Sequence, residues 1–189
     1  MEKLKFVLIG CGRIATLHVA GYKDREDAEL WGVYDKNPQT AKRFAAEHGI
    51  KVCAHVITGL PGENLADFEQ TILFVNSLPV SGIKIHNLYV CHGTTLESAW
   101  NSGTLRLLSR EDSLDWVVRG IALLRPEIVV HRLCSDPGHD ELLAPSWAHE
   151  KPAFLNDLRQ RLQETDTWQG KALGQNLPEW INPQQAGYK

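Results

Sequence analysis

Two glycines near the start of the sequence have the spacing of a turn that lets a phosphate group approach the main chain. Residues 5–15 read KFVLIGCGRIA, an apolar strand that runs into Gly-x-Gly-x-x-Ala and then into a helical pattern. In such a turn Gly10 permits the tight bend, and Gly12, which has no Cβ, leaves room for a pyrophosphate. Ala15 is small enough for the helix to pack closely against the strand. The pattern predicts a phosphate-binding turn between a strand and a helix.

Two main-chain amides and one carboxylate would complete such a site. The N–H groups of Arg13 and Ile14 lie at the start of the predicted helix, where the helix dipole favours a bound anion. Asp35 ends the second predicted strand, where a carboxylate accepts hydrogen bonds from an adenosine ribose and repels a 2′-phosphate. The Asp35 carboxylate therefore favours NAD over NADP. The neighbouring Lys36 keeps NADP as an alternative cofactor. The predicted residues that bind this small-molecule dinucleotide, NAD(P), are Gly10, Gly12, Arg13, Ile14, Ala15 and Asp35. A purely structural turn is the alternative.

Apolar strands and amphipathic helices alternate along nearly the whole chain. Strands are predicted at residues 5–9, 29–34, 51–58, 83–90 and 127–133, and helices at residues 14–22, 38–48, 64–78, 110–124 and 152–164. Strands separated by such helices form right-handed βαβ units. The predicted fold class is α/β, with a parallel sheet of about five strands flanked by helices in a Rossmann-like order. An open half-barrel of βα units, with sequential strands, is the alternative. We expect a single α/β domain over residues 1–172 and a C-terminal tail over residues 173–189.

Several motifs within the first fifty residues are typical of one enzyme family. GCGRIA occupies residues 10–15, LWGVYD residues 30–35, and Ala41, Phe44, Ala45, Gly49 and Ile50 follow. Over residues 1–50 they resemble the NAD(P)-binding N-terminus of the Gfo/Idh/MocA oxidoreductases. The resemblance implies a nicotinamide dinucleotide cofactor. It also implies a catalytic lysine in Glu-Lys-Pro after a later strand, and a second α/β domain that supplies the substrate pocket.

The catalytic lysine of that family has no assignable counterpart in this sequence. Glu-Lys-Pro occurs at residues 150–152, but it follows SWAH rather than an apolar strand, and it opens a predicted helix. We interpret this match as a coincidence. The catalytic residues are therefore unknown, and hydride transfer has no identifiable acid or base.

A different set of motifs follows. CAHVITGLPGE occupies residues 53–63, GIKIHNLYV residues 82–90, PEIVVHR residues 126–132 and DTWQG residues 166–170. Over residues 51–172 they resemble the C-terminal half of a radical SAM family protein. The resemblance implies that the backbone after Ile57 lines the adenine of S-adenosylmethionine. Glu63 is expected to cap the next helix, because an acid is favourable near a helix N-terminus.

The cluster motif of the radical SAM enzymes is missing from the sequence. Those enzymes hold a [4Fe–4S] cluster with Cys-x-x-x-Cys-x-x-Cys on one loop, and cluster assembly needs several thiolates close together. The four cysteines, Cys11, Cys53, Cys91 and Cys134, are about forty residues apart. We expect no iron–sulfur cluster, and no known metal-binding motif is present.

The two resemblances meet at a seam, Gly49-Ile50-Lys51-Val52. A glycine that ends a helix and leads into a strand suits both families, so the join preserves the alternation of strands and helices. We interpret the chain as a chimera, natural or engineered. The favoured function is NAD(P) binding by an incomplete, recombined oxidoreductase segment without an intact catalytic centre. This interpretation favours a binding protein over an enzyme. The alternatives are an NAD(P)-dependent oxidoreductase, a recombined fold without activity, and a radical SAM-derived protein that has lost its cluster site.

Composition argues against other partners. The chain has 189 residues, a net charge of −3 and a pI of about 6.2, so it has no electrostatic footprint for nucleic acid or an anionic membrane. The apolar run at residues 6–9 is too short for a membrane span or a signal peptide. We expect a cytoplasmic protein without nucleic-acid or membrane partners. A half-barrel with an exposed inner face would favour a homodimer.

Overall fold

The chain divides into two compact units. The structure is a computed structural model that describes residues 3–22, 25–48, 50–138 and 140–176. The N-terminal unit comprises residues 1–53 with residues 79–81, and the C-terminal unit comprises residues 54–78 and 82–189. The division after residue 53 falls next to the predicted seam.

The N-terminal unit consists of two β-α repeats. Its elements are β1 (Leu4–Ile9), α1 (Arg13–Tyr22), β2 (Ala28–Tyr34) and α2 (Pro38–Glu47). β1 pairs with β2 in parallel, and the register joins Leu8 to Val33 and Ile9 to Tyr34. Parallel neighbours need a crossover connection, and α1 provides it.

Both helices of the N-terminal unit pack against the same face of the strand pair. The core cluster between them contains four buried side chains from the turn and the helices, Cys11, Ala15, Val19 and Phe44. The partly buried residues packed against them are Leu8, Leu30, Val33 and Ala41. Because side chains alternate along a strand, Val7 and Ile9 point to the opposite face and are exposed. This packing holds the end of β1 and the start of α1 together.

The C-terminal unit contains the remaining elements. In chain order they are β3 (Cys53–Thr58), whose first residue belongs to the N-terminal unit, α3 (Leu65–Asn76), β4 (Gly82–Asn87), β5 (Val90–Cys91), α4 (Thr95–Asn101), α5 (Arg110–Leu123), β6 (Val129–Arg132), β7 (Leu142–Ala144) and α6 (Lys151–Glu164), with 3₁₀ turns at Ser146–His149 and Lys171–Leu173. β3, β4 and β6 form one sheet in that order, in which β4 and β6 are parallel. β5 and β7 form a short antiparallel pair.

The sequential strand order in this unit follows from the packing of its helices. α3 and α5 lie against each other, with the ring of Phe68 stacked on that of Trp116 at 5.8 Å between centroids. At their ends, Asn76 Nδ2 donates to the carbonyl of Leu123 at 2.8 Å. When two connecting helices lie on the same side of a sheet and each crossover is right-handed, every new strand is added beyond the previous one.

The predicted α/β class, with parallel strands flanked by helices, is confirmed. The predicted Rossmann-like sheet of about five strands differs from the observed arrangement. The described strands divide among a pair, a three-stranded sheet and a second pair. The three-stranded sheet has the sequential order that the half-barrel alternative predicts, because its connecting helices share one side.

The predicted C-terminal tail, residues 173–189, falls mostly outside the described residues, which end at residue 176. Within them, Trp168 Nε1 donates to the carbonyl of Gln175 at 3.0 Å and holds this end of the chain back on itself. Across the part of the chain that the structure describes, no helix combines the length and apolarity that a membrane crossing requires.

Candidate functional site

The turn after β1 has the conformation that its glycines predict. Gly10 has a φ of +88°, in the left-handed region where a side chain is strained. Its N–H donates to the carbonyl of Tyr34 at 2.7 Å, so the turn is joined to the end of β2. Ala15 N–H donates to the carbonyl of Gly12 at 3.0 Å as α1 begins. The turn is therefore fixed on both sides.

Asp35 lies beside this turn. Its Oδ2 accepts a hydrogen bond from the N–H of Cys11 at 2.8 Å, and its Oδ1 accepts one from the N–H of Asn37 at 2.8 Å. The amides of Asn37 and Cys11, with the charge of Lys36, lower the pKa of Asp35 below its ordinary value. The carboxylate is therefore ionised at neutral pH. Each oxygen has a second lone pair that can accept from a hydroxyl group.

Open space surrounds the two glycines of the turn. A Cβ built on Gly12 would meet no heavy atom within 4 Å, and the same holds for Gly10. Gly12 borders two cavities, of about 560 Å³ and about 400 Å³. The first is also lined by Gly10, Ile14, Ala15 and His18, and the second by Cys11, Thr16, Thr40 and Arg43. The main chain at Gly12 can thus be approached by a ligand from both sides.

The start of α1 supplies the predicted amides. The helix begins at Arg13, so the N–H groups of Arg13 and Ile14 belong to its first turn, where amides have no partner within the helix. Ala15 is 5% exposed and packs in the core of the N-terminal unit, as its small size predicts. The structure thus brings the six predicted residues into one region. Their binding of a cofactor stays a prediction.

Sequence reasoning missed how Cys11 and Asn37 organise this site. Cys11 holds Asp35 against the turn through its amide, and Asn37 does so from the other side. The Asn37 contact has a local signal, since an aspartate often accepts from the amide two residues later. The Cys11 contact has none, because it joins residues 24 positions apart and depends on the pairing of β1 with β2.

The loop after β3 differs from its prediction at Glu63. Glu63 Oε2 accepts from the amides of Gly59 at 2.8 Å and Leu60 at 3.0 Å, so it closes its own loop instead of capping α3. α3 is capped by Asn64, whose side chain accepts from the N–H of Asp67, while the Asp67 carboxylate accepts from the N–H of Asn64. This reciprocal pair is a capping box. Glu63 therefore stabilises the loop that precedes α3, and does not cap the helix.

The lysine of Glu-Lys-Pro has a structural partner. Lys151 begins α6, and its Nζ donates to Asp136 Oδ2 at 2.6 Å. The neighbouring Glu150 accepts from Arg110 Nη1 at 2.8 Å. These contacts hold the start of α6 and support a structural role for the motif.

Potential metal ligands are dispersed. Among the described residues, no group of three or more histidine, cysteine, aspartate or glutamate side chains is placed to hold a metal ion. Burial raises the pKa of the Cys11 thiol, and so does the nearby Asp35 charge. Burial also raises the pKa of the Cys134 thiol. The absence of an iron–sulfur cluster stays a prediction.

Two protein-family models match the chain. The "Oxidoreductase family, NAD-binding Rossmann fold" matches residues 4–95, and the "Radical_SAM C-terminal domain" matches residues 80–164. Both resemblances expected from the motifs are confirmed. The two matches overlap at residues 80–95, so they do not place the join at residues 49–52.

Similar proteins are longer than this chain. Uncharacterized protein YtqA of Bacillus subtilis (strain 168) is 34% identical over 125 residues, which are 66% of this chain and 39% of that protein. Protein YhcC of Escherichia coli (strain K12) is 34% identical over 145 residues, which are 77% of this chain and 46% of that protein. The chain therefore spans less than half the length of either relative.

A solved structure has the same fold. It is "The archaeal Methanocaldococcus infernus Elp3 with N-terminus deletion (1-46)", with a TM-score of 0.64 and 11% sequence identity. The similarity covers 89% of this chain and 43% of that one. At this level of identity it shows the fold alone.

Proposed function

We propose that the N-terminal unit binds a nicotinamide dinucleotide, with NAD preferred over NADP. The observation that carries the proposal is the position of Asp35, whose carboxylate accepts from the Cys11 amide at 2.8 Å within the turn. This hydrogen bond places the acid that we propose for ribose binding beside the turn that we propose for phosphate binding. The match of residues 4–95 to an NAD-binding Rossmann family supports the same function.

The residues of the turn fit this cofactor. Open space at Gly12 would admit the pyrophosphate, and the first-turn amides of Arg13 and Ile14 would donate to it. Asp35, ionised and with lone pairs to spare, would accept from the ribose hydroxyls. When bound, the cofactor would supply a hydride donor or acceptor. These residues would hold it in place and would not take part in hydride transfer.

Binding without an intact catalytic centre is the function that we favour. The lysine at residue 151, in the only Glu-Lys-Pro of the sequence, is already paired with Asp136 at 2.6 Å. We infer that the chain combines parts of two enzyme families, since one family model matches its first half and another matches residues 80–164. Substrate chemistry would have to come from residues that neither resemblance identifies.

Calorimetric titration of the full chain with NAD⁺, NADP⁺ and S-adenosylmethionine tests the proposal. NAD⁺ is expected to bind more tightly than NADP⁺, because the Asp35 carboxylate repels a 2′-phosphate. Gly12→Val should weaken NAD⁺ binding by more than about tenfold, because its side chain would occupy the path of the pyrophosphate. Open space around Gly12 means that this variant should fold normally.

Gly21→Val is the matched control. Gly21 lies near the other end of α1, and a Cβ built there also meets no atom within 4 Å. This variant should bind NAD⁺ like the parent chain. Absence of a heat of binding with both NAD⁺ and NADP⁺ would contradict the proposal. Heat with S-adenosylmethionine alone would favour the radical SAM-derived alternative.

A further inference from the structure

Four basic side chains lie on one face of the three-stranded sheet. They come from three adjacent strands: His55 from β3, Lys84 and His86 from β4, and Arg132 from β6. The ring of His55 stacks on that of His86, with 5.2 Å between centroids. Lys84 is directly paired with Arg132 in the register of β4 and β6. We call this group the basic cluster.

The basic cluster has little compensating negative charge. Neither Lys84 nor Arg132 forms an ion pair with a carboxylate among the described residues. Asp136 lies within electrostatic reach of Arg132, but its carboxylate accepts from Lys151 at 2.6 Å. Four basic groups therefore face one another across three strands, an arrangement that an anion would stabilise.

Loss of hydration and the neighbouring positive charges both lower the pKa of the two imidazoles. Partial loss of hydration is the main cause that lowers the pKa of the exposed His55, followed by the charges of Lys84 and Arg132. For His86, burial comes first, followed by His55, Arg132 and Lys84. His86 Nε2 is buried and has no hydrogen-bond partner among the described residues. An orphaned ring nitrogen in such a cluster can donate to an acceptor once it is protonated.

A cavity of about 510 Å³ adjoins the cluster, and both His55 and His86 line it. The other walls include four apolar or aromatic side chains, Ile57, Leu88, Tyr89 and Leu96. The size suits a small organic ligand. A ligand that combined an anionic group with an apolar body could therefore use both features.

We propose that the basic cluster binds the phosphate group of a small phosphomonoester whose apolar or aromatic body occupies the adjoining cavity. A tetrahedral phosphate offers several acceptor oxygens in three dimensions, which suits donors that converge from three strands. Arginine, lysine and imidazolium groups all form charge-assisted hydrogen bonds with phosphate. This site lies in the C-terminal unit, so the proposal does not rest on dinucleotide binding in the N-terminal unit.

Calorimetric titration with phenyl phosphate, inorganic phosphate and phenol separates the two parts of the site. Phenyl phosphate should bind more tightly than inorganic phosphate, because its ring enters the cavity, and phenol should bind weakly. Lys84→Gln and Arg132→Gln should each weaken phenyl phosphate binding by about tenfold or more. Arg106→Gln, which removes an exposed arginine from a loop of the same unit, is the control and should leave binding unchanged.

Nuclear magnetic resonance of the histidine rings gives a second readout. Saturation with phenyl phosphate should raise the pKa of His55 and His86, because a nearby anion favours the protonated ring. His55 is exposed, so His55→Gln should fold even where a more buried variant does not, and it should weaken binding. The proposal is overturned if neither phosphate ligand gives heat, if Arg106→Gln weakens binding as much as Lys84→Gln, or if both pKa values stay unchanged at saturation.

Discussion

Asp35 shows how a single side chain organises the candidate site. Its carboxylate accepts from Cys11 in the turn and from Asn37 at the start of α2. These two bonds hold the ionised form and orient it towards the end of β1. The same contacts explain why the pKa of Asp35 is lowered without a fixed cationic partner other than the adjacent Lys36.

His55 and His86 are expected to make stability depend on pH. Loss of hydration and neighbouring cations lower the pKa of both rings in the folded chain. The unfolded chain, with an ordinary histidine pKa of about 6.5, then binds more protons. The stabilisation from neutral rings is complete above that pH and is lost as the pH falls through the folded-state values. The Tm should therefore fall between about pH 7.5 and about pH 5.

Two variants separate the effect of the histidines on the pH dependence of Tm from the effect of the carboxylates. His55→Gln removes one of the two rings, so the fall in Tm between the two pH values should be smaller than in the parent chain. His18→Gln, an exposed histidine on α1, should show the parent behaviour. The same pH dependence in both variants would contradict the electrostatic account of the cluster.

At the scale of elements, the contact between α3 and α5 depends on a glycine. A Cβ at Gly120 would lie 2.9 Å from Phe68 Cε1 and 3.1 Å from its Cζ, and Phe68 is fully buried. Gly120→Val should therefore lower the free energy of unfolding by about 1–3 kcal/mol through overpacking. Urea denaturation, followed by circular dichroism, measures the change.

A double-mutant cycle identifies the cause of that loss. In a Phe68→Leu background the large ring is absent, so Gly120→Val should cost less than it does in the parent chain. An equal cost in both backgrounds would mean that the valine disturbs the helix itself rather than its contact with α3.

Local patterns predicted some elements well and missed others. The helix predicted over residues 64–78 is observed as α3, Leu65–Asn76, although Asn64 and Asp67 cap it instead of the expected Glu63. The helix predicted over residues 38–48 is observed as α2, which begins at Pro38, because proline is favoured at the first position of a helix. α4, with seven residues, and β5, with two, were not predicted. Elements this short carry too few residues for a periodic pattern.

At the scale of the whole molecule, strand order was beyond the reach of sequence patterns. A Rossmann-like sheet and a half-barrel require the same alternation of strands and helices, so periodicity cannot separate them. The order β3-β4-β6 depends on contacts such as that between Asn76 and Leu123, 47 positions apart. The basic cluster was missed for the same reason, because only strand pairing brings Lys84 and Arg132 together.

The glycine turn was predictable because its chemistry is local. Gly10, Gly12 and Ala15 lie within six residues, and each has a distinct steric role. The chain has this turn, whereas the sequence offers no assignable counterpart of the catalytic lysine of the resembled family. Dinucleotide binding by this turn is therefore the function that most needs a direct test.

Titration of the ¹⁵N-labelled full chain with NAD⁺, followed by two-dimensional ¹H–¹⁵N spectra, shows both whether the dinucleotide binds and where it lies. The largest amide shift changes are expected at Gly10, Gly12, Arg13 and Ile14, which would contact the pyrophosphate. The Asp35 amide should also shift, since its carboxylate would contact the ribose. An unchanged spectrum at these residues, or changes confined to the C-terminal unit, would rule out dinucleotide binding at the turn.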